Sequence, residues 1–258
     1  MSLNPKILTW SGCRVWLIGA STGIGAALAR QLIDAGARVA LSARSRDRLD
    51  AIAAGSDAAV VPLDITDRAA VHASAARVCA ALGALDLVIV VAGTHVPMSA
   101  DRFDLARAEQ LLSVNLHGPL NCLDAVLPTL LAQRRGGIVL MASVAGYRGL
   151  PQALIYGPSK AALIHLAEGL YLDLRKSGIG VYLVNPGFVD TPLTRRNDFA
   201  MPALISADKA ARRTLEGIAA GRFEIHYPRR FTFWLKLLRL LPYSAYFRVV
   251  RRFTGVDR

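Results

Sequence analysis

The sequence predicts an α/β protein: a doubly wound parallel sheet with helices on both faces, in one domain that ends in an amphipathic helical tail. Two observations carry this. Short apolar runs recur at residues 15–18, 39–41, 60–63, 85–91, 138–141 and 181–184, and stretches of helical periodicity separate them. Such runs are apolar at nearly every position rather than every second one, the mark of strands buried on both faces, and a sheet with helices on both faces is usually parallel. With 258 residues, 53% hydrophobic and 19% charged, the chain is long and apolar enough for one large core. Ligands of such sheets bind at the carboxyl ends of the strands, so the residues that follow each run are where chemistry is sought.

Composition excludes several classes. Cys13, Cys79 and Cys122 are odd in number, far apart and without a Cys-x-x-Cys pair, which argues against a disulfide framework or a thiolate metal site. His72, His95, His117, His165 and His226 form no pair at helical ligand spacing, so no metal is expected. Residues 1–10 lack the basic and long apolar pattern of a secretory signal, and a cytoplasmic protein is expected. The net charge of +12 is uneven, because residues 229–258 carry +7 of it.

The first run leads into Gly19-Ala20-Ser21-Thr22-Gly23-Ile24-Gly25 and then a good helix. Glycines there let the backbone turn tightly and approach a pyrophosphate, which rests on the partly positive helix N-terminus. A dinucleotide site follows. The second run ends in Ala43-Arg44 with no carboxylate to accept ribose hydroxyls. A guanidinium matches a phosphate dianion, so NADP(H) is expected over NAD(H), with Arg44 as its reader.

Tyr156 and Lys160 lie four apart at the start of a helical segment, so both heads can reach one pocket. A phenol of ordinary pKa is a poor acid near neutrality, and an adjacent ammonium favours its ionised form. Ser143 closes the fifth run, thirteen residues before Tyr156, where a hydroxyl could bond a carbonyl oxygen.

The spacing Gly-x-x-x-Gly-x-Gly, with Ser143 and Tyr156-x-x-x-Lys160 in this order, resembles the short-chain dehydrogenases/reductases over roughly residues 10–226. The resemblance implies a Rossmann-like, mainly seven-stranded sheet and hydride transfer between a nicotinamide and a carbonyl or carbinol carbon. It assigns Tyr156 as acid/base, Ser143 as orienter, Lys160 as holder of the nicotinamide ribose and Asn115 as holder of a water linked to the lysine. Asp64 and Ile65 would meet the adenine, Ala92 and Gly93 follow the fourth strand, and Pro186, Gly187, Val189 and Thr191 would receive the nicotinamide. A lid over substrate is implied between residues 192 and 207, where Phe199, Met201, Leu204 and Ile205 suggest an apolar pocket. A homodimer or homotetramer is implied as well. Two departures stand out: Thr22 occupies a place where NADP-using members often carry Lys or Arg, and Val90-Val91 stand where the family has two asparagines, which removes an amide that supports the strand end.

The division expected is 1–228 as catalytic unit and 229–258 as a basic extension. Within residues 231–241, Thr232, Lys236 and Arg239 form one polar stripe on an otherwise apolar helix; after Pro242, Ser244, Arg248, Arg251 and Arg252 again share a face. The run is too short to span a bilayer and fits a helix lying among head groups, so peripheral membrane contact through residues 231–253 is expected, at the inner face of the membrane. A lipophilic carbonyl or alcohol is the expected substrate. An NADP-binding scaffold without turnover is the alternative. Nucleic-acid binding is disfavoured by the aliphatic content of the tail and the lack of a reading motif.

Overall fold

The computed structural model describes residues 2–196 and 201–254. Seven parallel strands form one sheet in the order β3-β2-β1-β4-β5-β6-β9: β1 Arg14–Ile18, β2 Arg38–Ser42, β3 Ala59–Val60, β4 Leu87–Val90, β5 Gly136–Met141, β6 Ile179–Pro186 and β9 Glu224–Tyr227. The order reverses at β1, between β2 and β4, which creates the crevice that the apolar-run reading anticipated. Every apolar run became a strand of this sheet. The seventh, β9, was missed by that criterion because it reads Glu-Ile-His-Tyr and alternates in burial, as an edge strand does.

Alternation along each strand feeds two cores. Trp16, Ile18, Val88, Val90, Ile138, Leu140, Val181 and Leu183 face one side. Val15, Leu17, Val39, Leu41, Leu87, Ile89, Val139 and Val184 face the other. Helices α3 (Arg68–Leu82), α5 (Gly118–Gln133) and α6 (Tyr156–Leu174) supply buried residues to the first core. To the second come α1 (Gly23–Asp34), α2 (Arg46–Ala53) and α7 (Ala207–Ala219). A short pair, β7 Val189–Asp190 and β8 Ile205–Ser206, stands apart from the main sheet. α4 (Leu105–Leu112) runs into α5 through one widened turn, Ser113–His117. Such π-type turns disturb the regular ladder and re-aim side chains.

The tail is two helices, α8 Arg229–Arg239 and α9 Tyr243–Thr254, and the protein sets which face of α8 turns inward. The polar stripe of α8 faces the protein: Thr232 is fully buried and bonds His226 at 2.6 Å, and Lys236 pairs with Glu224 of β9. Arg239 lies over the Tyr147 ring, 5.4 Å from its centroid. Glu224 explains this orientation, because its carboxylate also accepts from the Tyr147 hydroxyl (2.6 Å) and from Asn185 Nδ2 (2.9 Å) and needs a cation beside it. Desolvation pushes its pKa up, but Lys236, Tyr147 and Asn185 together hold it below the usual glutamate value. Phe231 and Leu235 flank the stripe and pack on the first core. No helix among the described residues is long and apolar enough to cross a membrane.

Candidate active site

The glycine turn is where backbone geometry leaves least freedom. Gly19 has φ +99°, and a Cβ on it would sit 2.5 Å from the backbone N of Ala92. At Gly25 a Cβ would meet the carbonyl oxygen of Gly19 at 2.0 Å, and at Gly23 (φ +53°) it would press on Thr191 at 3.0 Å. Three chain segments therefore converge on one concave turn that only hydrogen side chains permit. Thr22 precedes α1 in extended conformation and makes no side-chain bond to its first turn. The donors of that turn are left to a ligand, and this cradle fits a dinucleotide pyrophosphate.

A cavity of about 820 Å³ runs along this edge of the sheet. Gly19, Ser21, Thr22, Gly23, Ile24 and Gly25 line it from the turn, Arg44 from the end of β2, and Asp64 and Ile65 from the segment after β3. Ala92 and Gly93 line it after β4, Ser143 after β5, Tyr156 and Lys160 from α6, and Pro186, Gly187, Val189 and Thr191 after β6. Asn115 does not line it. Fully buried in the widened turn, Asn115 accepts from the Thr94 N–H (2.7 Å) and donates to the Thr94 carbonyl (2.9 Å) and to Ser159 Oγ (3.2 Å). Its amide thus ties the segment after β4 to the helix of Lys160.

Tyr156 and Lys160 begin α6 one turn apart, as the spacing implies, but their electrostatics differ from the sequence expectation. Desolvation raises the pKa of the Tyr156 phenol, and the hydrogen bond with Ser143 is what draws it back. Lys160 is 4% exposed, donates to the Met141 carbonyl at 2.9 Å, and stands 5.8 Å from the Tyr156 ring centroid. Burial pushes its own pKa down to about 8. Both groups are short of water, so each resists its charged form, and the bond with Ser143 eases ionisation of the phenol. Ser143 Oγ in turn accepts from the Ala145 N–H at 3.1 Å, which fixes the start of the loop towards Tyr156.

Asp64 accepts from the N–H (2.9 Å) and hydroxyl (2.7 Å) of Thr66, and these bonds, with a smaller contribution from Arg44, hold its pKa below the usual aspartate value. The loss of asparagines at Val90-Val91 is made good by backbone: the N–H groups of Val91 and Ala92 both donate to the Ile18 carbonyl, at 2.9 and 3.1 Å. Of the residues expected to form an apolar lid, Ile205 sits in β8 against the second core and Leu204 is 45% exposed. Neither they nor Met201 line the cavity, and Phe199 lies outside the described residues. The pull of the core on Ile205, through the short β7–β8 pair, explains the difference.

Two residues escaped the sequence reading. Arg48, in the first turn of α2, lines the same cavity as Arg44. A second arginine close after Arg44 was the available signal. His95 meets the Tyr156 ring edge-on, centroids 4.6 Å apart, with its pKa lowered by burial. No local pattern marks it.

The comparisons with known proteins agree with this geometry. The family model described as short chain dehydrogenase matches residues 14–200. A curated relative from Myxococcus xanthus, described as an uncharacterized oxidoreductase, is 34% identical over 239 residues, 91% of this chain and 94% of that protein. A solved short-chain dehydrogenase from Burkholderia cenocepacia in complex with NADP superposes with TM-score 0.84 at 26% identity, over 94% of this chain and 99% of that one. A structure from Brucella melitensis described as a ribose-5-phosphate isomerase also superposes, with TM-score 0.77 at 26% identity over 84% of this chain and 92% of that one. A shared fold does not by itself name a reaction. The chain belongs to the short-chain dehydrogenase family. Within it, the protein is an oxidoreductase that takes a nicotinamide dinucleotide as cofactor and a small molecule as substrate.

Proposed function

We propose that the protein is an NADP(H)-dependent oxidoreductase that interconverts a lipophilic ketone or aldehyde with its alcohol. One observation carries the reading: Ser143, Tyr156 and Lys160 open into the same cavity as the glycine cradle. A nicotinamide bound there would supply the hydride in reduction and take it up in oxidation. In the reductive direction the Tyr156 hydroxyl gives its proton to the carbonyl oxygen, and in the oxidative direction it takes that proton back. Ser143 bonds the same oxygen and steadies the developing alkoxide. Lys160 holds the ribose next to the nicotinamide, and its charge favours the phenolate once a ribose hydroxyl gives the ammonium a further acceptor. Asn115 acts as a positioning residue through Thr94 and Ser159.

Arg44, joined by Arg48, reads the 2′-phosphate. Asp64 and Ile65 flank the adenine, and residues 186–191 receive the nicotinamide. Val96 and Leu193 line the cavity and give it apolar surface for a lipophilic substrate. Residues 1–228 make up the catalytic unit and 229–258 an extension, in a cytoplasmic homodimer or homotetramer that touches the inner face of the membrane through residues 231–253. A scaffold without turnover is the weaker reading, because such a protein has no use for three catalytic groups held together.

The test is a screen of ketones and secondary alcohols, long-chain ones included, with both nicotinamide cofactors. We expect NADP(H)-linked turnover that improves with chain length. Turnover with NAD(H) alone would overturn the cofactor assignment, and binding of NADPH with no turnover on any carbonyl would favour the scaffold.

A further inference from the structure

α8 and α9 present a surface that the rest of the molecule leaves uncovered. Because Thr232 and Lys236 turn inward, the opposite side of α8 exposes Phe233 (55%), Trp234 (67%), Leu237 (38%) and Leu240 (81%). α9 continues it with Tyr243 and Phe247, both more than half exposed. Large apolar side chains gathered at such density on one surface mark a contact with something other than water.

The charge around that surface says what the contact is with. No Asp or Glu occurs between Arg229 and Thr254, while Arg229, Arg230, Arg248 and Arg252 are exposed beside the apolar residues. Ser244, Phe247, Arg248, Arg251 and Arg252 line one shallow groove on α9, where guanidinium groups and an aromatic ring lie together. A second copy of the chain would bring the same cations face to face. An anionic phosphate surface with apolar material beneath it satisfies both the arginines and the aromatic residues.

The plate is also rigidly mounted. Arg148, from the loop between Ser143 and Tyr156, donates to the carbonyls of Leu238 (2.9 Å) and Leu241 (2.7 Å) at the end of α8. The same guanidinium lies over the rings of Tyr243 (4.7 Å) and Tyr246 (4.2 Å), and the Tyr246 hydroxyl donates to the Gly149 carbonyl at 2.7 Å. The loop joining the two proposed catalytic groups is therefore clasped to the tail.

We propose that α8 and α9 form an interfacial plate that seats the protein on a lipid surface bearing anionic head groups, with Phe233, Trp234, Leu237 and Leu240 entering the acyl boundary and the α9 groove taking a phosphate. The tail docks polar side inward and apolar side outward, and it holds the loop of Ser143 and Tyr156 next to the lipid. This deepens the membrane contact read above and is independent of the reductase chemistry.

The test is sedimentation of the full chain with vesicles of phosphatidylcholine alone and of phosphatidylcholine mixed with phosphatidylglycerol. NADPH binding serves as the check that each variant is folded, and light scattering reports its assembly state. Partition onto the anionic vesicles should exceed that onto phosphatidylcholine at least tenfold, and should fall at least tenfold in W234E/L240E and in R248E/R252E. L8E, a surface leucine away from the tail, should bind as the parent does. The proposal is overturned by equal partition onto both vesicles, by no partition, or by unchanged partition in folded variants. Absent partition together with a smaller assembly in W234E/L240E would also overturn it and assign the face to a second copy. Because the measurement needs no turnover, its failure leaves the oxidoreductase reading untouched, and an inactive Tyr156 variant should still bind.

Discussion

The ligand edge of the sheet and the tail helices both arise from strong sequence patterns, but the two patterns constrain different things. At the edge, Gly19 and Gly23 take positive φ and Gly25 sits against the Gly19 carbonyl, demands that a tight strand-to-helix turn makes on its own residues, so spacing alone locates the feature. In the tail, the period of Thr232, Lys236 and Arg239 states that a polar and an apolar face exist. It does not say which of them meets the protein. That choice was made by Glu224, a carboxylate on the edge strand just before α8 that needs Lys236. A motif tied to local geometry transfers from sequence to structure directly, whereas an amphipathic pattern acquires its direction only from its partner.

The largest expected effect falls at the motif-built edge. Y156F should lower kcat by about 10³-fold while leaving NADPH affinity within a fewfold, since general acid–base groups contribute about 10²–10⁴. Near-full turnover on an identified substrate would remove the phenol from the mechanism. Next, R44S/R48S should raise KM for NADPH about tenfold to a hundredfold with little change for NADH, because charge-assisted bonds to phosphate are worth about 1.5–3 kcal/mol. An equal loss with both cofactors would show that the pair supports the loop rather than reading the phosphate.

Lys160 sharpens the comparison, because a residue held for chemistry is costly to the fold. Its pKa falls from 10.5 to about 8 on burial, so below pH 8 the folded state carries a buried charge that the unfolded chain does not. At about 1.4 kcal/mol per pKa unit this costs on the order of 3 kcal/mol, and the cost is relieved as pH rises from about 8 towards 10.5. K160M should therefore be inactive yet melt higher than the parent at pH 7 without cofactor, with the gap closing towards pH 10. A lower melting temperature at pH 7 would mean that the bond to Met141 outweighs the desolvation.

The smallest effect belongs to the tail mount. K236M leaves Glu224 half-buried without its cation, and the tail should become more sensitive to limited proteolysis while NADPH affinity stays unchanged. In the parent the Glu224 carboxyl titrates below its ordinary range, so the stability this pair contributes is present above about pH 4.5 and is lost as pH falls through the lowered value. Equal protease sensitivity of K236M and parent from pH 7 down to pH 4 would show that other contacts hold α8.

Much of the candidate site was legible because its parts sit at strand ends or at helical spacing: the glycine turn, Ser143, the Tyr156–Lys160 pair and Arg44 all line one cavity. Asn115 was legible as a position only. Its partners Thr94 and Ser159 come together through the widened turn at Ser113–His117, which no propensity announces. His95 reaches Tyr156 by loop path alone. Asn4 was equally silent: its amide bonds both the N–H and the carbonyl of Val181, standing in for a strand that β9 does not extend far enough to provide.

By itself the sequence determined the parallel sheet, the crevice side of that sheet and the residue types gathered there, because alternation of apolar runs, glycine stereochemistry and helical periodicity are properties of neighbouring residues. Only the tertiary structure decided the electrostatics and the orientation of the tail. Desolvation acts on Tyr156 and Lys160 from every packed element at once, and the partner of Lys236 lies on a strand that the chain's own pattern does not identify. These quantities depend on what surrounds a group in space, and one-dimensional order does not contain that.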